Sequence, residues 1–525
     1  MKTDSFASDY DSAWKVMWII VIVQSLFVAF TPLFPFIDLP NHLAEATIYK
    51  YHGDPENTLA SYYVPVPWYY PNTFHTVFCS LFPDVEWGNR VFHILYIITL
   101  QLSVFLVIKH LKGNPWYGLL VTIFTFNYNV TFGFVGFAIA IPAIILLFYF
   151  TLREIDKQSL GLKLFIGLLF ILIFLMHAQA ALFALVLYAL MMLITYFKTP
   201  LRVAQAALVP LPTAIIIFVW WLSQESPPEE GGSTLAYLWS YYTTTYFPEL
   251  FSRVRLAIFD NYQLADGLAG GIIALLLFAT MLVPFFFHKA QHNKTQLLRE
   301  AFYPLILLVC ALSCYLFLPT GLPGQSPLSQ RFCTLVNIAL VITLSVAVKG
   351  AGPRLRNFSV AVCVIYIALW FEYIISFNVQ NKSFRSEFFA DMRNDQKLAG
   401  LIYENAYRRS KVYIHFPNYF IVWKRGVATT KIIDYRFGVV RRNEVKSGIP
   451  FYDEYVGDNY KHLVDYNDQD YLLVRGRAPV TKDVNLLSST LLRETGEWRL
   501  YSNVGKATPG EQGESPSIVA SGITP

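Results

Sequence analysis

Eleven predominantly apolar runs, each near the roughly 20 residues that carry a helix across a bilayer, dominate the first three quarters of the 525-residue chain. They fall at 14–35, 91–109, 116–132, 134–152, 163–180, 181–197, 203–223, 267–287, 301–318, 331–348 and 357–376. Lipid offers no hydrogen bonds to the backbone, so such runs cross it as helices or not at all. The expected fold class is an α-helical polytopic membrane protein of about eleven transmembrane helices. Only 15% of the residues are charged, against about a quarter in soluble domains. That deficit excludes an ordinary soluble enzyme and a disordered chain. Of the 77 charged side chains, 38 lie in the last 150 residues. This places a transmembrane domain over 1–376, a small mixed α/β domain over 377–504, and a disordered Gly/Ser/Pro-rich tail over 505–525. The net charge of +5 is small and sits mainly in loops, so nothing calls for a nucleic-acid partner. The first run is long, follows Asp4, Asp9 and Asp11, and has no small-residue cleavage site, so it reads as a span and not a cleaved signal. The five cysteines lack metal-ligand spacing and read as packing residues.

Lys and Arg in short loops orient such a chain, because cytoplasmic loops accumulate them. With the N-terminus inside, the inner loops hold thirteen and the outer side five, Arg331 included. The C-terminal domain then lies outside, with two large outer loops at 36–90 and 224–266. Long outer loops of this kind tend to carry function. In the C-terminal domain, 384–409 reads as helix, 411–424, 430–440 and 470–476 as strands, and 489–501 as a hairpin turning at Thr495-Gly496.

The first outer loop opens with Phe36-Ile37-Asp38-Leu39-Pro40-Asn41-His42-Leu43-Ala44-Glu45. Prolines 35 and 40 end the first helix there. Asp38 either caps a new helix beginning near residue 41 or stands at the water–lipid boundary as a base for a bound hydroxyl. Tyr62, Tyr63, Trp68, Tyr69, Tyr70 and Phe74, with His75 beside them, form either an interfacial belt or flat faces for a sugar ring. His177 lies in an apolar run near an outer helix end, where an ionisable group marks either function or a helix–helix hydrogen bond. Arg331 opens a span at the outer face after Pro319-Thr320-Gly321-Leu322-Pro323-Gly324. Its planar fork suits phosphate, though snorkelling to the interface is the plainer reading. No glycine-rich nucleotide loop is present, which counts against a nucleotide-activated donor.

A carboxylate directly after the first helix, in Phe36-Ile37-Asp38-Leu39-Pro40-Asn41-His42, a large first outer loop, ten or more spans and an outer C-terminal domain resemble the GT-C superfamily of polyprenyl-phosphate-dependent membrane glycosyltransferases. The resemblance implies a mannosyltransferase-like hexosyltransferase of the cell envelope. Asp38 occupies the position of the proposed general base. Many members carry a second acidic residue close behind, whereas here the nearest is Glu45, so no metal and no cofactor are expected. The implied reaction transfers a sugar, with inversion, from a polyprenyl-phosphate donor to a lipid, glycan or protein acceptor at the outer face of a bacterial inner membrane. Arg331, His42 and His177 are the candidates for the donor phosphate and lipid, and Trp68, Tyr69, Tyr70, His75 and Glu45 those for sugar and acceptor. Two other classes compete. A polysaccharide ligase or polymerase using a pyrophosphate-linked glycan would rely on outer Arg and His clusters. A lipid or sugar transporter would need polar residues along its spans, which are almost bare of charge.

Overall fold

The computed structural model describes residues 2–223, 234–258, 294–322, 326–348, 352–428, 438–443, 469–476 and 489–503, with a few residues between 271 and 282. In chain order its helices are α1 (Lys2–Phe30), α2 (Leu39–Tyr51), α3 (Leu59–Tyr62), α4 (Phe74–Ser80), α5 (Val85–His110), α6 (Pro115–Gly118), α7 (Tyr128–Phe132) and α8 (Val135–Asp156). There follow α9 (Leu160–Met176), α10 (Ala178–Tyr196), α11 (Pro200–Ala207), α12 (Leu211–Leu222), α13 (Thr234–Ser240), α14 (Tyr246–Ile258), α15 (Lys294–Phe317), α16 (Cys333–Ala347), α17 (Pro353–Gln380) and α18 (Tyr419–Lys424). Among the described residues seven helical stretches are long and apolar enough to cross a membrane. They lie in α1, α5, α8, α10, α15, Ser329–Ala347 and α17. The expected run 203–223 forms α11 and α12 instead, bent by 50°. Pro210 and Pro212 remove backbone donors at that joint. Helix α9 is apolar but only 17 residues long. The run 267–287 lies largely outside the described residues.

The run 116–132 does not form the continuous helix expected of it. It is broken into α6, a 3-10 turn at Leu119–Phe124, and α7, all buried. Asn114 and Asn127 each start a new turn by accepting backbone N–H groups through their side chains. The segment still runs the length of α16. At one end Asn114 N donates to Ser345 O at 2.9 Å. At the other, Asn129 Nδ2 donates to Arg331 O at 2.9 Å and to Thr334 Oγ1 at 3.2 Å. Irregular backbone survives at membrane depth only where protein satisfies it. Here Tyr366 of α17 accepts Phe126 N at 3.1 Å, Cys363 donates to Leu119 O, and Asn127 Nδ2 donates to Phe124 O at 2.8 Å.

The C-terminal sheet has the strand order β3-β2-β5-β7-β6. Its strands are β2 (Lys397–Ile402), β3 (Val427–Ala428), β5 (Tyr471–Arg475), β6 (Ser489–Thr495) and β7 (Trp498–Asn503), with β2 parallel to β3 and β5. Two expectations are corrected here. Residues 384–409 are not one helix: a 3-10 turn at Ser386–Phe389 is followed by Leu398–Ile402, a buried inner strand whose continuous apolar pattern mimics a helix face. Residues 411–424 are not a strand. Pro417 cannot serve a ladder, and the chain forms a 3-10 turn at Phe416–Asn418 and then α18, closed by Arg425 at φ +56°. The hairpin at Thr495-Gly496 is present, with Gly496 at φ +56°. Of 430–440, only the end is described, as part of β4 (Val440–Arg442). It pairs antiparallel with β1 (Tyr63–Pro65) of the long segment between α1 and α5. One hydrophobic core runs from the helix bundle into the sheet through Phe377, Phe384, Phe416 and Trp498.

The segment between α1 and α2 is clamped to α17. Asn378 Oδ1 accepts Leu33 N at 3.0 Å, and its Nδ2 donates to Leu33 O at 2.9 Å. Replacing Asn378 with Leu leaves both backbone groups unpaired and should cost about 1–3 kcal/mol. A lowered thermal midpoint of the detergent-solubilised protein would show it, and an unchanged midpoint would refute the clamp.

Candidate active site

Asp38 is placed by three features. Pro40 starts α2 at one of its first two positions. Backbone bonds from Ile37 N to Thr131 O, 3.2 Å, and from Asp38 N to Phe132 O, 2.9 Å, tie the linker to α7. Gly133 then closes α7 in the left-handed region at φ +96°. A Cβ at Gly133 would lie 2.7 Å from Asp38 N, so only glycine lets the two strands of chain approach this closely. Asp38 does occupy the N-cap position of α2, but its side chain makes no capping bond. The carboxylate is therefore not consumed by local structure. Its Oδ1 is buried without a hydrogen-bond partner among the described residues, and His415 Nε2 faces it at 3.4 Å.

Arg331 lies in the 3-10 turn Ser329–Phe332 before α16. Its guanidinium sits over the Phe134 ring at 4.2 Å. Its NH1 is 2.6 Å from His177 Nε2. Arginine can only donate, so the imidazole accepts there. His177 occupies the break between α9 and α10 at φ −166°, ψ 124°. Gly136 of α8 fits against that break, where a Cβ would lie 2.4 Å from Met176 O. Gln179 follows and donates to Leu328 O at 3.2 Å, holding the turn that carries Arg331. Arg331 Nε, Gln179 Oε1 and Asn129 Oδ1 are buried without partners among the described residues. Asp38 thus packs against Gly133 and Arg331 against the neighbouring Phe134, and the Asp38 charge acts on Arg331.

His42 and Glu45 stand on the first turns of α2, with His42 Nδ1 3.0 Å from Glu45 Oε2. Burial alone would lower the basicity of His42, but the Glu45 hydrogen bond and the charges of Glu45 and Asp38 together raise its pKa above the usual value. His75 lies behind His42, ring to ring at 5.8 Å, and is 1% exposed. Its Nε2 meets Asn89 Oδ1 at 3.0 Å. Burial holds the His75 pKa well below the ordinary imidazole range. The aromatics Trp68, Tyr69 and Tyr70 stack edge to face on one another. Trp68 is 61% exposed and Tyr69 41% exposed. Tyr70 reaches Ser223 Oγ, at the end of α12, at 2.8 Å. No hydrogen bond or ring contact among the described residues joins this cluster to Asp38 or Arg331. Among the described residues no group of three or more His, Cys, Asp or Glu side chains is arranged to hold a metal ion.

Several site residues escaped the sequence reading. His415 and Asn418 come from the C-terminal domain. Asn418 Nδ2 donates to Asn41 Oδ1, one turn from Asp38. The signal available for them was Pro417, which should have argued against a strand at 411–424. Gly133 and Phe134 carried a weaker signal, a Gly directly after an Asn- and Thr-rich stretch inside an apolar run.

No protein-family model matches the chain. No curated protein matches it either. Among solved structures it is similar to ArnT from Cupriavidus metallidurans, whose crystal structure has undecaprenyl phosphate bound. The likeness has a TM-score of 0.53 at 12% sequence identity and covers 93% of this chain and 98% of that one. At that identity the fold is what the two share. The chain is thus an integral membrane protein with an ArnT-like fold.

Proposed function

We propose that the protein transfers a sugar from a polyprenyl-phosphate donor to an acceptor hydroxyl at the outer face of a bacterial inner membrane. The single observation that carries this reading is that Asp38 and Arg331 both sit against the dipeptide Gly133-Phe134, a carboxylate with no capping bond packed on Gly133 and a half-buried cation over the Phe134 ring. The lipid phosphate bound by the structural neighbour supports a donor of the same class. The loop charges support an N-terminus in the cytoplasm and a C-terminal domain outside.

In this reading the donor phosphate meets Arg331, and its prenyl chain lies among the helices. Asp38 takes the proton from the acceptor hydroxyl as the oxygen attacks the anomeric carbon. The bond from that carbon to the phosphate oxygen breaks with inversion, and lipid phosphate leaves with the electron pair. Arg331 is fixed beforehand by His177 and Phe134, so it can stabilise the leaving charge with little reorganisation. His42, held by Glu45, adds positive potential beside Asp38. His75 backs His42 from the core. The exposed Trp68 and Tyr69 serve the approach of sugar or acceptor and not the chemical step.

Membranes expressing variants and supplied with radiolabelled polyprenyl-phosphate sugars provide the test. Asp38→Asn, at equal expression, should lower turnover by about 10²–10⁴-fold, the usual worth of a general base. Full activity in that variant would remove Asp38 as the base. Arg331→Lys keeps the charge but loses the planar stack, and should lower kcat by about 10²-fold or more. A change in neither kcat nor KM would exclude Arg331 from the phosphate site. Gly133→Ala should cut turnover by about 10²-fold by displacing Asp38, the effect expected of an ångström-scale misplacement. Wild-type turnover in Gly133→Ala would show that the close approach is dispensable.

A further inference from the structure

The carboxylate of Asp38 has a position but no orientation of its own. Its backbone is pinned to α7, yet its side chain makes no cap bond and Oδ1 is buried without a hydrogen-bond partner among the described residues. A base in that state wastes its geometry, because a carboxylate rotating freely presents the proton-accepting oxygen to the acceptor only part of the time. The group that faces Oδ1 belongs to the other end of the chain. His415 Nε2 stands 3.4 Å away, on a side chain with no exposed surface.

His415 is itself rigidly carried. The turn that follows it places Phe416 parallel to Trp498 of β7, with ring centroids 5.5 Å apart, and edge-on to Tyr413 and Tyr419. Asn418, one turn later, bonds Asn41 on α2. Helix α18 then packs along α2. The imidazole is thus held by the sheet on one side and by α2 on the other. His42 stands near enough for its charge to act on both Asp38 and His415.

We propose that His415 is a positioning residue for Asp38: its Nε2–H engages Oδ1 and leaves Oδ2 aimed at the acceptor hydroxyl. The proposal rests on the reading of Asp38 as the base. A separation of 3.4 Å is long for a hydrogen bond, and bonds of this kind often tighten only when substrate is bound. The C-terminal domain is then part of the catalytic centre and not an accessory to it. A chain lacking this turn would keep its donor site and lose the orientation of its base.

The experiment uses membranes of the source organism, which contain the acceptor, and the polyprenyl-phosphate sugar that the wild type turns over. His415→Ala should lower kcat by about 10²-fold while the donor KM stays within about a factor of two. His415→Gln, whose amide reaches the Nε2 position, should recover at least about tenfold of that loss, and His415→Asn, whose amide stops short, should not. In the Asp38→Asn background His415→Ala should cost nothing more, because the group it orients is gone. Wild-type kcat in His415→Ala, a loss confined to KM, or equal recovery by Gln and Asn would each overturn the proposal. The Gln–Asn comparison stands even where the Ala variant fails to fold. Asp38→Asn with full activity, or a wild type that turns over no donor, defeats the underlying reading and the positioning role with it. Loss in Asp38→Asn beside wild-type kcat in His415→Ala defeats the positioning role alone.

Discussion

Every backbone N–H and C=O at membrane depth must find a partner inside the protein, and the broken segment 114–134 is where this chain meets that demand without a helix. Tyr366, Cys363 and Asn127 supply the missing partners. Because the segment is irregular, its C-terminal end can leave the helical path. Thr131 and Phe132 offer carbonyls to the Asp38 linker, and Gly133 turns where Asp38 is seated. Phe134 then supports the Arg331 guanidinium. The last carbonyls of a helix have no partner within it, and those of Thr131 and Phe132 are taken up in holding the linker.

The second dependence is the closing of the C-terminal sheet onto the bundle. Strand β4 pairs with β1, α18 lies on α2, and Asn418 bonds Asn41. Ala44 and Ile48 of α2 share a small core with Ile421, Val427 and Val440. Residues more than 370 apart in sequence thereby meet beside Asp38, as the pairs Asn41–Asn418 and Asp38–His415 show. A continuous core through Phe377, Phe384, Phe416 and Trp498 makes the sheet an extension of the bundle. The charge contrast along the sequence does not mark where packing stops.

Electrostatics inside the site follow the same placement. Two histidines so close in space, His42 and His75, end with opposite tendencies. His42 gains Glu45 and the Asp38 charge, while His75 has a neutral amide and a phenylalanine ring about it. Arg331 is half-buried and has an imidazole acceptor and a ring face. Burial of a cation is costly unless an anion comes to it, which is why the proposed reaction sets the donor phosphate there.

The sequence by itself determined the membrane fold class, most of the spans, the exit of Asp38 from the first helix, and the hairpin at Thr495-Gly496. Each is a local property: hydropathy over about 20 residues, a proline beside a carboxylate, or a glycine at a turn. Where local pattern misled, the reason was tertiary. Leu398–Ile402 looks helical because an inner strand is apolar on both faces. The run 116–132 looks like a span because burial inside a bundle and exposure to lipid select the same apolar side chains. Only the tertiary structure decided that Asp38 would meet Gly133 and His415, that its charge would reach Arg331, and that Trp68 and Tyr69 would stay at the surface. Those contacts join positions with no periodic relation to one another, so they exist only once the chain has packed.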